Sequence, residues 1–245
     1  MQRTIGRVTL VGFPMTKVSN LSSRFWSTDT NLSAILIFLF LFVFLFYPLY
    51  DIPVFRFITK LIFLLILVSG CTRILGRRSL GIGILLLVAV YILLNGGEIL
   101  TESTSISFWN CIINFFCCSL LAVIITVQVF KEGRVTINHI QSAVAIYLLL
   151  GLMWGFLYQA IALKDAGAFM RASSAVADSV HVFKKDLIYF SFTTLTTVGY
   201  GDIAPVHPGA RMLAVLEAIV GQLFPAILIS WLVSMQIMHS RRKEG

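Results

Sequence analysis

The feature that limits this chain most is a succession of long apolar runs that no water-soluble fold has room to bury. A helix needs roughly 20 mostly apolar residues to cross the hydrocarbon core of a bilayer. On that scale the sequence predicts six spanning helices, near residues 32–50, 55–71, 80–95, 106–130, 139–163 and 208–238. Composition agrees: 58% of the residues are hydrophobic and 12% charged, too few polar side chains to cover a soluble surface. The connector Asp51–Pro53 is short, so a re-entrant hairpin is the alternative there to the two full crossings expected.

The net charge of +8 does not point to nucleic acid, because the basic residues stand in small clusters beside the apolar runs. Arg3, Arg7, Lys17 and Arg24 precede the first run, and Arg73, Arg77 and Arg78 lie between the second and third. Lys131 and Arg134 lie between the fourth and fifth, and Arg241, Arg242 and Lys243 follow the sixth. The connector after the third run carries Glu98 and Glu102 with no Lys or Arg. The positive-inside rule then predicts a multi-pass protein of the plasma (inner) membrane with both termini cytoplasmic. Arg56 and Lys60 are the exceptions and are expected to snorkel. Residues 1–30 are mixed and polar, so no cleavable signal is expected.

Cys71, Cys111, Cys117 and Cys118 sit in or beside apolar runs at spacings that suit buried, reduced thiols rather than a metal site. No nucleophile–base pair or metal constellation stands out, so neither an enzyme nor a cofactor is expected.

One connector is long. Lys164–His207 contains Leu187–Leu195, an apolar stretch too short to cross, followed by Thr196-Thr197-Val198-Gly199-Tyr200-Gly201-Asp202. Such a segment enters the membrane and returns only where protein or a water-filled cavity shelters its backbone. A dehydrated potassium ion needs a cage of oxygens repeated along a narrow path. Backbone carbonyls supply one if left- and right-handed residues alternate, and glycine adopts the left-handed form without the Cβ penalty. Gly199 and Gly201 alternate with Val198 and Tyr200 as this requires, and Thr197 adds a hydroxyl at one end.

On these residues the chain resembles the potassium channel family. Thr196–Asp202 is similar to the family's filter signature, Asp186–Leu195 to its pore helix, and the likeness covers residues 139–238. The resemblance implies an all-α membrane protein of six transmembrane helices plus a re-entrant pore helix and selectivity-filter loop. One filter per chain implies a homotetramer surrounded by membrane lipids. Potassium would be the permeant ligand, held at Thr197, Val198, Gly199 and Tyr200, with Gly201 completing the filter and Thr196 and Asp202 supporting it. Tyr189 stands where many members place a tryptophan bonded to that aspartate, so its phenol either reaches Asp202 or simply packs. Thr193 replaces a glutamate found behind the filter of a bacterial member. Asp186 is expected to cap the pore helix.

In the last span Gly221 matches the family's hinge glycine, and Pro225 one turn later predicts a kink. The family spacing turns Gln222, Pro225, Ile229 and Val233 toward a cavity. Ile229 and Val233 form either an apolar gate or ordinary helix packing. Glu217, a carboxylate at membrane depth, is expected to find Arg211.

The fourth run, Ile106–Phe130, has no basic residue, whereas a voltage sensor needs one at every third position. Residues 1–31 then form a cytoplasmic segment, 32–135 a four-helix domain resembling a degenerate voltage sensor, 136–240 the pore domain and 241–245 a short tail. So short a tail is expected to leave any cytoplasmic control to residues 1–30, the short connectors, lipid or an unidentified regulatory partner. The expected function is passive potassium conduction; the alternative is a non-conducting regulatory channel subunit.

Overall fold

A computed structural model of the chain describes residues 28–46, 49, 52–71, 78–101, 103–131, 137–171 and 180–244. Each predicted span overlaps a helix among the described residues. α1 (Thr28–Phe40) continues into a π-helical segment (Leu41–Phe46), followed by α2 (Pro53–Cys71), α3 (Arg78–Thr101), α4 (Thr104–Lys131) and α5 (Ile137–Lys164). α6 (Val180–Leu195) and α7 (Pro208–Glu244) complete the set. Pro53 and Pro208 occupy first helical positions, where a missing N–H leaves nothing unpaired. Among the described residues three helical stretches are long and apolar enough to cross a membrane: Thr104–Val127, His139–Lys164 and Pro208–Met235. Ile35–Leu45 and Val88–Glu98 are shorter apolar stretches. At the connector Asp51–Pro53, Asp51 lies outside the described residues, and the Ile52 amide donates to the Leu49 carbonyl at 3.1 Å.

The core runs across residue 135, where the sequence suggests a domain boundary. One apolar cluster joins Leu39 of α1, Phe63 of α2, Tyr91 of α3, Leu121 of α4, Leu152 of α5 and Ile188 of α6. The most extensive helix contact is α4 against α5. Polar contacts lock it: the Cys111 thiol donates to Gln159 Oε1 (3.6 Å), and the Ser119 hydroxyl meets Met153 Sδ (3.1 Å). The Lys164 ammonium lies 4.6 Å from the centre of the Phe108 ring. Cys111, Cys117 and Cys118 are buried free thiols, as their spacing suggests.

Lys60 does not snorkel. Its ammonium pairs with Glu98 at 3.1 Å, with both side chains nearly buried, and also donates to the Asn95 carbonyl at 3.3 Å. α3 extends past the predicted end of its span, which brings Glu98 into the helix. Asn110 and Ser107 of α4 donate to the same carboxylate, at 2.6 and 2.9 Å. These residues line a cavity of about 50 Å³ between the first helices and α5. Pairing and hydrogen bonds offset the desolvation cost that would leave an isolated buried charge unfavourable.

The long connector holds two elements too short to carry a periodicity, β1 (Phe169–Arg171) and β2 (Ile203–Pro205). They pair antiparallel, Phe169 opposite Pro205, Met170 opposite Ala204 and Arg171 opposite Ile203. The Val206 and His207 amides both donate to the Ala168 carbonyl, at 2.8 and 3.2 Å. This ribbon closes the loop around α6 and adds the single β feature to an otherwise helical architecture among the described residues.

Candidate functional site

α6 sits directly against α5 because α5 gives it room. A Cβ on Gly151 would lie 2.5 Å from the Phe192 ring, and one on Gly155 would lie 2.4 Å from Ile188 Cδ1. This is a small-xxx-small face, which lets helix backbones approach closely. The Ser191 hydroxyl contacts the Gly151 carbonyl at 2.7 Å, and the Tyr147 hydroxyl donates to the Leu195 carbonyl at 3.1 Å.

The last turn of α6 grows into the loop. The Thr197 amide donates to the Thr194 carbonyl (2.9 Å) and the Val198 amide to the Thr193 carbonyl (2.9 Å). With Thr197 left-handed at φ 59°, these are the two bonds of a Schellman closure, in which a left-handed residue ends a helix. The Gly199 amide shares the Thr193 carbonyl at 3.1 Å. Glycine is usual at such a position, and a β-branched residue there is strained. Thr193, where the family comparison suggests a missing glutamate, turns its hydroxyl onto the Phe190 carbonyl instead (2.9 Å).

The left-handed conformation then recurs at every second residue, with φ 59° at Thr197, 52° at Gly199 and 77° at Gly201. Val198 and Tyr200 between them are not left-handed. Alternation of this kind turns successive carbonyls to one side of the strand. Thr196–Asp202 is exposed throughout in the single chain. Tyr189 stands beside its far end, with its ring parallel to that of Tyr200 and the centroids 6.4 Å apart.

The ion channel family's sequence profile matches residues 146–237, the stretch from α5 through this loop to α7. Protein LctB of Bacillus caldotenax is 29% identical over 105 residues, which is 43% of this chain and 78% of that protein. Two pore potassium channel c of Oryza sativa is 43% identical over 49 residues, 20% of this chain and 11% of that one. Human potassium voltage-gated channel subfamily A member 7 is 32% identical over 97 residues, 39% of this chain and 21% of that one. Over residues 146–237 the chain is similar to the ion channel family, and several of its relatives are named potassium channels. The family it resembles is one of channels, not of enzymes. No solved structure matches it significantly.

Within this region two site expectations need correction. Asp186 does not cap the pore helix, because α6 begins six residues earlier, at Val180; Asp186 instead pairs with Arg171 of β1, tying the ribbon to the helix. Glu217 does not meet Arg211. Six residues on a helix amount to about 240° of rotation, and the Arg211 guanidinium donates back to the Pro205 carbonyl at 3.0 Å. Glu217 is 0% exposed. Its partners are the Tyr158 hydroxyl (2.7 Å) and the Ser191 hydroxyl (2.5 Å).

Gly221 also has a packing role that the sequence does not show. α7 is helical without interruption through Gly221 and Pro225. A Cβ on Gly221 would lie 1.9 Å from the Leu195 carbonyl oxygen. The absent side chain lets two helices cross at backbone distance. One turn on, Phe224 packs beside Tyr147, with ring centroids 5.8 Å apart. Gln222, Ile229 and Val233 are all exposed in the single chain, Ile229 at 60% and Val233 at 53%, while Pro225 is half-buried.

The sequence reading missed Gly151, Gly155, Ser191 and Tyr158. The first two carry a recognisable signal, the GxxxG spacing in an apolar helix. The other two have none, since a serine and a tyrosine in apolar surroundings acquire meaning only from Glu217.

Proposed function

We propose that four copies of this chain surround one pore, and that Thr197, Val198, Gly199, Tyr200 and Gly201 of each form its potassium-selective filter. The observation that carries this reading is the alternation of left-handed residues at 197, 199 and 201, since a column of carbonyl rings requires it. Potassium is the permeant ion, held at Thr197, Val198, Gly199 and Tyr200, with Thr196, Tyr189 and Asp202 steadying the loop. α7 leaves most of its apolar length uncovered in one chain, including Leu216, Ile219, Leu223 and Ile227. Neighbouring copies account for that exposure on the pore side and lipid on the other. Gln222, Pro225, Ile229 and Val233 then line the cavity, and the last two narrow it. All six long helices span the plasma (inner) membrane, with both termini cytoplasmic.

Conduction is passive and not driven by a charged sensor. α4 has no basic residue before Lys131, and its extensive contact with α5 supports a fixed wall rather than a sliding element. Purified channel in liposomes with a potassium gradient is expected to pass potassium without any energy source, and its conductance–voltage curve is expected to be shallow. Each charge moved through the field contributes about 2.3 kcal/mol per 100 mV, so a steep curve would require charges that α4 does not carry. Absence of flux would favour the non-conducting subunit.

A further inference from the structure

Glu217 occupies a position that conduction by itself does not explain. It lies fully buried on α7, and its two oxygens meet two different helices. Tyr158 of α5 donates to Oε2 at 2.7 Å. On the other side Ser191 Oγ of α6 stands 2.5 Å from Glu217 Oε1 and 2.7 Å from the Gly151 carbonyl oxygen.

A serine hydroxyl has one proton, and a peptide carbonyl can only accept. If Ser191 donates to Gly151, the proton in its contact with Glu217 belongs to the carboxyl group. A second observation agrees. Among the described residues no Lys, Arg or His pairs with Glu217; the titratable groups facing it are the phenols of Tyr158 and Tyr147, both from α5, and α6 presents the Ser191 hydroxyl. A buried carboxylate with no cation is costly, and the neutral acid is not.

The consequence reaches the filter through α6. Ser191 lies two residues before Thr193, whose carbonyl holds the amides of Val198 and Gly199. Glu217 and Gly221 are one turn apart on α7 and touch Ser191 and Leu195, one turn apart on α6. We infer that Glu217 is a positioning residue of the filter: a neutral carboxylic acid that donates its proton to Ser191, fixing the helix from which the filter hangs. This rests on the reading of residues 197–201 as the ion path.

Full-length channel reconstituted in liposomes tests it. Infrared difference spectra of wild type against Glu217→Gln should contain the carbonyl stretch of a protonated carboxylic acid at neutral pH. If wild type lacks that band, the acid is ionised and the inference is overturned, whatever the channel conducts. Glutamine keeps a donor for Ser191 and an acceptor for Tyr158, so Glu217→Gln should stay within about twofold of wild-type potassium over sodium permeability. Glu217→Ala, or Glu217→Asp if the alanine variant fails to assemble, should lose about tenfold or more in that ratio. Wild-type selectivity in the alanine or aspartate variant, or loss of it in the glutamine variant, would overturn the positioning role. A non-selective wild type that still carries the band would instead count against the filter assignment.

Discussion

Gly221→Ala is expected to remove the assembled channel, not merely alter its opening. The added Cβ would lie 1.9 Å from the Leu195 carbonyl oxygen, 2.7 Å from its carbon and 3.0 Å from its Cα. All three are backbone atoms at the end of α6, so no side chain can rotate away. Overpacking a core typically costs 1–3 kcal/mol, and a contact this rigid lies at or above about 3 kcal/mol. That is a large part of the roughly 5–15 kcal/mol that holds a folded domain. The check is the fraction of detergent-solubilised protein that elutes as the assembled species, together with its melting temperature. Gly96→Ala is the control, since a Cβ there meets nothing within 4 Å and removing a helical glycine is neutral or stabilising by up to about 1 kcal/mol. A Gly221→Ala channel that assembles normally but opens abnormally would return Gly221 to the role of hinge.

Gly201→Ala is expected to fail differently, assembling but losing selectivity. Its φ is 77°, and a Cβ there meets no neighbour within the chain, so the penalty lies in the backbone. Left-handed geometry costs an L-residue roughly 1–2 kcal/mol, repeated in each subunit. The strand relieves this by rotating the peptide, which swings a carbonyl away from the ion. The potassium to sodium permeability ratio, read from reversal potentials, should fall about tenfold or more, each decade corresponding to about 1.4 kcal/mol. An unchanged ratio would mean that the ion path does not run past Gly201. Because one variant breaks a helix contact and the other a strand conformation, the pair separates scaffold from filter.

How much of this was legible in the sequence depends on the range of the interaction concerned. The helices could be read because apolar length is a local property, and the two filter glycines because backbone handedness is one too. Thr197 escaped that logic. Its left-handed state comes from the closure of the pore helix onto Thr193 and Thr194, which outweighs the preference of a β-branched residue. Lys60 could be flagged as an exception to the topology rule but not paired with Glu98, because their meeting requires α2 and α3 to be packed. Asp186 and Glu217 were given partners or roles close by in sequence. Their actual partners lie 15, 26 and 59 residues away, on other elements. Gly221 was noticed for its absent side chain, but its close approach to the Leu195 backbone needs α6 and α7 to be packed.

The central claim is that residues 197–201 form a potassium-selective path, and the most direct test is a bi-ionic reversal potential. Purified wild-type channel in a planar bilayer, with potassium on one side and sodium on the other, should reverse near the potassium limit. Carbonyl rings replace the hydration shell of potassium more readily than that of sodium. A reversal potential near zero, meaning equal permeability to the two ions, would contradict the account.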